Sequence, residues 1–434
     1  MNLGKLIAIA LALGMAGAVA QTTPPSPAGP PLTLAQAQAA ALARRPLLQE
    51  AQSQANAAGQ EPAAVRATEM PQLAGDLTGV GAEANSRITA GGLNNPVIYS
   101  RYANGINVSQ LVTNFGRTGQ LVKSASNQAQ AQRQDAAATR ADVLLQVDRA
   151  YFSALQAQAV LRVAQQAVEE RQLIARQVGV LAQNKLRSNL DVSFAQVNLA
   201  QAQLLLSQAQ SGQQSTLADL ALAMGTALPT PAPQLEEQPL PAAPAQDLAP
   251  LVAQALLQRP EMAAADFQLD AARAYAQAQR DLERPTVSAV AAAGWTPTGA
   301  VQLPGHYAAA GVNVNIPIFN GGLFGAERRQ AEYQADAAQH RLDELSHQIA
   351  HDVQLAWLDA NTANQQLALT RELQQQAALA MTLAKSRYQL GLGSIVELSQ
   401  AQLNQTQADI AQAQAQYQYQ SATAALRYQM GLLR

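Results

Sequence analysis

Four stretches of the chain alternate between apolar and polar residues with a period of two, the pattern of a β-strand with one apolar face. Each stretch is about ten residues long, the length of a tilted membrane strand. Polar residues such as Asn107 and Asn313 fall on the face opposite the apolar ones. This alternation is typical of a membrane barrel, although two soluble hairpins packed on helices would also show it. The stretches are residues 72–81, 101–112, 285–295 and 307–318.

Most of the remaining chain consists of Ala, Gln, Leu and Arg, which favour helices. Two of the predicted helices have roughly 67 residues and would be about 100 Å long, far longer than helices of globular domains. Thr33 has the side chain of an N-cap residue. The predicted helices are residues 33–66, 117–183, 189–224, 247–283, 323–390 and 394–430, and turns at 184–188 and 390–394 join the long ones.

The two halves of the chain correspond in sequence. The segment VDRAY at residues 147–151 matches VQLAW at residues 353–357, at a spacing of 206 residues. Upstream of the strands, Arg45 matches Arg259 at a spacing of 214 residues, so the first half has the longer strand-connecting loop. A constant spacing over such a length indicates an internal duplication.

The N-terminus has the features of a secretory signal peptide: Lys5, an apolar run at residues 6–13 and the small residues 18–20. A Pro-rich segment separates the two halves and is expected to be irregular. We therefore predict a signal peptide at 1–20, a flexible arm at 21–32, a first repeat at 33–225 with a β-hairpin at 71–113, a linker at 226–246, and a second repeat at 247–434 with a β-hairpin at 285–319.

Composition excludes several functions. The formal net charge is −2, so no basic surface for nucleic acid is expected. The absence of cysteine excludes disulfides, a lipid anchor and thiol catalysis. His347 and His351 share a helix face, but no further ligand completes a metal motif, so we expect neither a metal nor a cofactor. No motif of a hydrolase or phosphate-binding enzyme is present, and we expect a protein that is not an enzyme.

Four strands cannot close a barrel, and open sheet edges in lipid would leave backbone groups without hydrogen bonds. If the strands lie in a membrane, several copies must share one barrel. Two copies would supply eight strands and three would supply twelve. The predicted fold is thus mainly helical with membrane β-strands, in a duplicated long-helix subunit.

Two motifs resemble the TolC-like outer-membrane efflux family. The segment PIFNGG resembles its strand-to-helix turn, with a shorter counterpart, NFG, in the first half. The segment RYQLGLGSIVE at residues 387–397 resembles its periplasmic helical tip. The turn residues carrying the first match are Asn114, Gly116, Pro317, Asn320, Gly321 and Gly322.

The resemblance implies a homotrimer whose four strands per subunit form one β-barrel in the Gram-negative outer membrane. Its long helices form an α-barrel that reaches through the periplasm. A periplasmic adaptor and an inner-membrane pump would complete the assembly, as in tripartite efflux or type I secretion. The cargo depends on those other chains, so the sequence does not name it.

The resemblance also implies a gate at the periplasmic tip. Asp191 and Glu397 match the acids that ring the narrow opening, Gln400 replaces a further acid, and Tyr388 matches a tyrosine that holds the closed state. Both acids also fit ordinary helix capping. The surface expected to dock the adaptor consists of Lys185, Arg187, Arg387, Gly391, Gly393 and Ser394.

Two other interpretations are open to the sequence. A soluble periplasmic coiled-coil adaptor or structural protein would explain export and the Ala/Gln-rich helices, but it does not predict a strand pair in each half. An exported enzyme on a helical scaffold would need a compact set of catalytic carboxylates, which the sequence lacks.

Overall fold

The structure is a computed structural model that describes residues 31–83, 101–228, 233–296 and 305–433. The predicted signal peptide at 1–20 lies outside the described residues, as do residues 21–30 of the predicted arm and 229–232 of the predicted linker. No helix within the described ranges is both long enough and apolar enough to cross a membrane.

The alternating segments form one antiparallel sheet in the order β1-β2-β3-β4. The strands are β1 Gln72–Val80, β2 Arg101–Thr113, β3 Thr286–Trp295 and β4 His306–Asn315. Strands β1 and β2 form the hairpin of the first half, and β3 and β4 that of the second. The pairing of β2 with β3 joins the two halves, and it contains one irregularity between Leu111 and Thr113. The expected fold class, mainly helical with four strands, is confirmed.

The register of the strands separates an apolar face from a polar face. Leu73 lies opposite Val108, Val108 opposite Ala291, and Val287 opposite Val314, all on the apolar face. On the polar face, the Asn107 amide donates a hydrogen bond to the Asp76 carboxylate. A one-residue slip would exchange the two faces, so the apolar pattern fixes the register.

The aromatic residue Tyr307, near the start of β4, lies on the polar face of the sheet. Tyr307 is directly opposite Gly294, and a side chain on Gly294 or Gly105 would overlap the Tyr307 hydroxyl. The Tyr307 ring therefore lies across the two glycines. Trp295, one residue further along β3, occupies the apolar face with about half of its surface exposed.

The helices within the described residues are of two kinds. Those that flank the strands on the N-terminal side are short, and the two pairs that follow the strands are long. In chain order they are α1 Leu34–Arg44, α2 Pro46–Ala58, α3 Glu61–Ala67, α4 Arg117–Gln183, α5 Asn189–Met224, α6 Ala249–Gln258, α7 Pro260–Arg280, α8 Leu323–Gln389 and α9 Ile395–Gln429.

The predicted single helices at residues 33–66 and 247–283 are wrong in one respect, because each is broken. Arg45 and Arg259 each precede a proline and are extended, with ψ of 117° and 127°. Steric contact with the proline ring excludes the helical conformation at the preceding residue. The first segment breaks again near Gly59, and the second ends in a short 3₁₀ turn, Asp281–Glu283. Thr33 caps α1 as predicted, since its side chain accepts from the Gln36 N–H at 3.1 Å.

The backbone repeats the duplication seen in the sequence. Every described residue with positive φ has a partner of positive φ at a spacing of 206 residues. Two members of the first half are not glycine, and their counterparts in the second half are. The pairs are Phe115 and Gly321, Gly116 and Gly322, Lys185 and Gly391, and Gly225 and Gly431.

Helices α4 and α7 pack closely because their contact is made of small residues. The residues that α7 buries are mostly alanines, including Ala271, Ala274 and Ala278. The Ser124 hydroxyl of α4 donates to the Ala271 carbonyl at 2.8 Å. On the other side of α7, Arg280 pairs with Glu332 of α8 at 2.9 Å. Helix α7 thus joins the two long hairpins beside the sheet.

The segment between the halves is irregular but fixed to the helices. The Tyr151 hydroxyl contacts the Glu236 carbonyl at 2.7 Å, and the Trp357 indole donates to the Ala245 carbonyl at 2.7 Å. Tyr151 and Trp357 are equivalent residues of the two halves. Further along, the Tyr419 hydroxyl donates to the Ala242 carbonyl at 2.6 Å. The described part of the linker therefore forms a belt around the middle of the long helices.

Asp148 of α4 is buried beneath this belt and is only 4% exposed. It accepts a hydrogen bond from Gln38 of α1 at 2.5 Å. Burial raises the pKa of Asp148 to about 6, and the Gln38 hydrogen bond and the charge of Arg427 lower it only in part. Because the folded-state pKa exceeds that of the unfolded chain, this group stabilises the fold fully below about pH 4, and the contribution disappears as the pH rises through 6.

We therefore expect Asp148→Asn to stabilise the protein at pH 7.5 by roughly 2 kcal/mol, and to have little effect near pH 3.5. Thermal unfolding in detergent at both pH values, followed by circular dichroism, measures the difference. Exposed Asp219 of α5 provides the control, and Asp219→Asn should leave the two midpoints unchanged. Equal stabilisation by Asp148→Asn at both pH values would contradict the assignment.

Candidate functional site

The ends of the long helices opposite the sheet form two turns, which we call the first tip, residues 184–188, and the second tip, residues 390–394. In the second tip, Gly391 has a φ of 76° and is followed by a hydrogen bond from the Leu392 N–H to the Arg387 carbonyl at 2.8 Å. The positive φ closes the end of α8 at no steric cost because glycine has no Cβ. Ser394 then caps α9, accepting from the Glu397 N–H at 3.1 Å.

The first tip has the same backbone without the glycines. Lys185 has a φ of 61°, a conformation that L-residues with a side chain adopt only at an energetic cost. Ser188 caps α5, and the Asp191 carboxylate accepts from the Ser188 N–H at 3.2 Å. Asp191 thus completes a reciprocal capping box, which is a structural role.

Arg187 connects the first tip to the end of α8. Its guanidinium lies 4.3 Å from the centre of the Tyr388 ring and donates a hydrogen bond to the Tyr388 carbonyl at 2.7 Å. The sequence predicts Arg187 on the docking surface, and the structure places its side chain half-buried between the two hairpins. A cation over an aromatic ring contributes about 0.5–2 kcal/mol, depending on its exposure to water.

Tyr388 is buried, and its hydroxyl has no hydrogen-bond partner within the described chain. Burial raises the pKa of Tyr388, Arg187 lowers it, and the nearby charge of Asp191 raises it. The structure therefore brings Tyr388, Arg187 and Asp191 together. A buried hydroxyl without a partner costs about 1–3 kcal/mol, so this contact is not optimised for stability.

Glu397 has a different partner from these three residues. Its carboxylate accepts from Arg387 at 3.0 Å, and the same arginine reaches the Leu392 carbonyl at 3.2 Å. Glu397 is therefore one half of an exposed ion pair, whereas a full capping box would direct it to the Ser394 N–H. Gln400 is exposed one turn further along and donates to Asn404 at 2.8 Å.

The strand-to-helix turns at the other end of the helices each contain an asparagine whose side chain bonds to the following backbone, four residues on in the first half and two residues on in the second. The Asn114 side chain accepts from the Thr118 N–H at 3.2 Å, and the Asn320 side chain accepts from the Gly322 N–H at 3.1 Å. The residues that follow these asparagines have positive φ. Pro317 lies beyond the end of β4, where no ladder hydrogen bond is needed. These residues position the long helices below the sheet.

Two polar residues near the tips were missed by the sequence analysis. Arg171 of α4 is buried and donates to the Asn198 carbonyl of α5 at 3.2 Å and to Thr406 of α9 at 3.1 Å. Asn198 itself donates to Ser399 of α9 at 2.6 Å. A lone arginine or asparagine in an Ala-rich helix has no local pattern that would distinguish it from a surface residue.

Metal binding has no geometric support in the part of the chain that the structure describes. No group of three or more His, Asp or Glu side chains is close enough to share an ion. His351 is exposed and lies 3.6 Å from Asp352.

Solved structures share this fold. The open state of the MtrE outer membrane channel of Neisseria gonorrhoeae superposes with a TM-score of 0.76 at 21% identity, covering 92% of this chain and 90% of that one. At this identity the likeness concerns the fold alone. The long hairpins joined to a four-stranded sheet are thus the fold of an outer-membrane channel subunit.

The sequence profile of the family named outer membrane efflux protein matches residues 38–226 and 251–432. These segments make up most of the chain, and the chain therefore belongs to the outer membrane efflux protein family, whose members are passive channels of the outer membrane and not enzymes. This membership excludes the soluble adaptor and the exported enzyme considered above.

Curated relatives agree with this assignment. The outer membrane efflux protein BepC of Brucella suis is 27% identical over 319 residues, which are 71% of this chain and 67% of that protein. The toluene efflux pump outer membrane protein TtgC of Pseudomonas putida is 27% identical over 336 residues, 72% of this chain and 66% of that protein. The match thus spans about two thirds of these relatives.

We expect Lys185→Gly to relax the first tip, because glycine adopts the positive φ without steric cost, and to stabilise the turn by about 0.5 kcal/mol. Hydrogen exchange of the amides around residue 185, followed by mass spectrometry, should become slower. The reciprocal change, Gly391→Lys, should make exchange at the second tip faster. Faster exchange after Lys185→Gly would show that the lysine side chain matters more than the backbone.

Proposed function

We propose that this chain forms the exit duct of a tripartite efflux or type I secretion system, and that three copies make up the duct. The observation that supports this is the sheet, in which β1 and β4 each pair with a single strand within the described residues. Hairpins of about 100 Å continue from that sheet. When neighbouring copies share one barrel, each outer strand pairs with a strand of the next copy. Three copies with four strands each would form a barrel of twelve strands.

The two halves contribute the same kinds of element in this proposal. The repeats at 33–225 and 247–434 each supply one β-hairpin and one long helical hairpin. The apolar sheet face contacts outer-membrane lipid, since Leu77 and Val312 expose 75% and 68% of their surface on it. The helices extend into the periplasm, where an adaptor binds the tips and links the duct to an inner-membrane pump. Nucleic acid has no part in this assembly.

The exposed tip residues are suited to adaptor docking. Lys185, Arg387, Gly391 and Ser394 are exposed at the ends of the hairpins, and Gly393 is half-exposed. Arg187 has a different role in this proposal, because its side chain is turned toward Tyr388. The first tip docks through a basic surface and the second through a glycine turn.

The gate lies at the same end. Arg187 and Tyr388 hold the hairpin of α8 and α9 against that of α4 and α5, and separating them widens the opening between the hairpins. Three copies of Asp191 and Glu397 supply six carboxylates around it. Carboxylates that ring a narrow opening favour cations.

Loss of the Arg187 contact should open the gate. Arg187→Gln removes both the cation over the ring and the charged hydrogen bond, so we expect a several-fold rise in single-channel conductance in planar bilayers. Lys185→Gln removes the same charge from an exposed neighbour and serves as the matched control. Equal conductance of the wild type and Arg187→Gln would count against a gate that the Arg187–Tyr388 contact holds closed.

Neutralising the acids should weaken the preference for cations. The double variant Asp191→Asn, Glu397→Gln removes both carboxylates and leaves Arg387 without its ion-pair partner. Reversal potentials measured in a salt gradient should therefore shift toward anion permeability. Gln400→Asp adds a carboxylate near the same opening and should shift the potential the other way. Unchanged selectivity in both variants would show that the ring of acids lies elsewhere.

A further inference from the structure

The two halves of the subunit are equivalent in their strand pairing. In the first hairpin Leu73 lies opposite Val108, and in the second Val287 lies opposite Val314. These pairs correspond at spacings of 214 residues for β1 and β3 and 206 residues for β2 and β4. The same correspondence holds for every described pair of the β1–β2 ladder whose counterparts are both paired in β3–β4. The chain therefore contains two strand hairpins with the same pairing.

One contact between these hairpins lies inside the subunit, where β2 of the first pairs with β3 of the second. Val108 lies opposite Ala291, and Ser109 opposite Val290. Near the tips, the same boundary is bridged by the hydrogen bond from Asn198 of α5 to Ser399 of α9, at 2.6 Å. We call this boundary the internal seam.

The outer edges of the sheet, β1 and β4, are the counterparts of the internal seam. Strand β4 corresponds to β2, and β1 corresponds to β3. Applying the two spacings, the pair of Val108 and Ala291 becomes Val314 and Leu77. Both lie on the apolar face, where they are 53% and 75% exposed. Asn315 and Asp76 form the next pair, and both lie on the polar face. Faces thus match across the edges, which a one-residue slip would prevent.

The residues that correspond to the Asn198–Ser399 hydrogen bond are also an asparagine and a serine. Asn198 corresponds to Asn404, and Ser399 corresponds to Ser193. Asn404 and Ser193 are both exposed in the isolated subunit. The Ser193 hydroxyl donates to the Asn189 carbonyl at 3.1 Å, as that of Ser399 donates to the Ile395 carbonyl at 2.7 Å. The amide and hydroxyl are therefore present at both boundaries.

We propose that the seam between neighbouring subunits repeats the internal seam, so that β4 of one subunit pairs with β1 of the next in the register Val314 opposite Leu77. At the tips, Asn404 of one subunit donates to Ser193 of the next. The partner of these surfaces is a second copy of this chain, because such a copy carries the complementary edge in matching register. The inference rests on the proposed trimer and adds the residues that form its seam.

Cysteine pairs test the seam directly, because the chain has no native cysteine. Opposite residues of antiparallel strands have Cα atoms about 4.5–5.5 Å apart, within the range that a disulfide spans. Leu77→Cys with Val314→Cys should give covalent dimers and trimers on a non-reducing gel after mild oxidation in detergent. Leu77→Cys with Val312→Cys is out of register by two residues and should react much less.

Ser193→Cys with Asn404→Cys tests the tip, and should also give a ladder that ends at three chains. The matched control, Asn198→Cys with Ser399→Cys, crosses the internal seam and should close within one chain, detected by mass spectrometry. Light scattering of the wild type in detergent measures the assembly itself. A particle of one chain would refute the proposed duct, and the seam with it. A trimer in which the shifted strand pair reacts better, or in which only the internal tip pair closes, would refute the seam alone.

Discussion

A backbone N–H or C=O group that faces hydrocarbon has no water to bond, and each such group costs several kcal/mol. This constraint decides what the four strands can be. Within the described residues the sheet is complete except along β1 and β4, whose outer groups lack a strand partner. One chain therefore supplies only part of a membrane barrel, and its exposed apolar face is the surface that we assign to lipid contact. The sheet also positions the long helices, because each long helical hairpin follows a strand after a short turn.

The duplication builds this arrangement from one unit used twice. The unit of strand hairpin, connecting helix and long helical hairpin occurs twice, and its turns keep the same dihedral signs even where the residue type has changed, as at Phe115 and Lys185. Tertiary contacts hold these residues in a conformation that glycine would adopt at lower cost. The belt around the middle of the helices uses equivalent aromatic residues, Tyr151 and Trp357, to bind opposite ends of the same linker. Symmetry is thus kept in the strand pairing and in the turns, and is relaxed in the short helices and in the side chains.

The two tips show where that relaxation has consequences. The second tip is a glycine turn with an arginine–glutamate pair on its surface. The first has lost its glycines and holds Arg187 against Tyr388, whose buried hydroxyl has no partner. The positive φ of Lys185 and the unsatisfied Tyr388 hydroxyl both cost free energy at this end of the molecule. That end is also where we place the gate.

The sequence by itself determined the strands, the long helices, the cap at Thr33 and the duplication, because period, composition and spacing are local or repeated signals that need no knowledge of neighbours. The family followed from the turn motifs and was confirmed by the profile match. The breaks at Arg45 and Arg259 also follow from a local rule, because each residue precedes a proline. Only the tertiary structure decided that Arg187 turns inward, and that Arg171 and Asn198 tie the hairpins together. The physical reason is that an arginine or asparagine on an Ala-rich helix has the same local sequence whether it faces water or a neighbouring helix, and its partners lie up to 235 residues away.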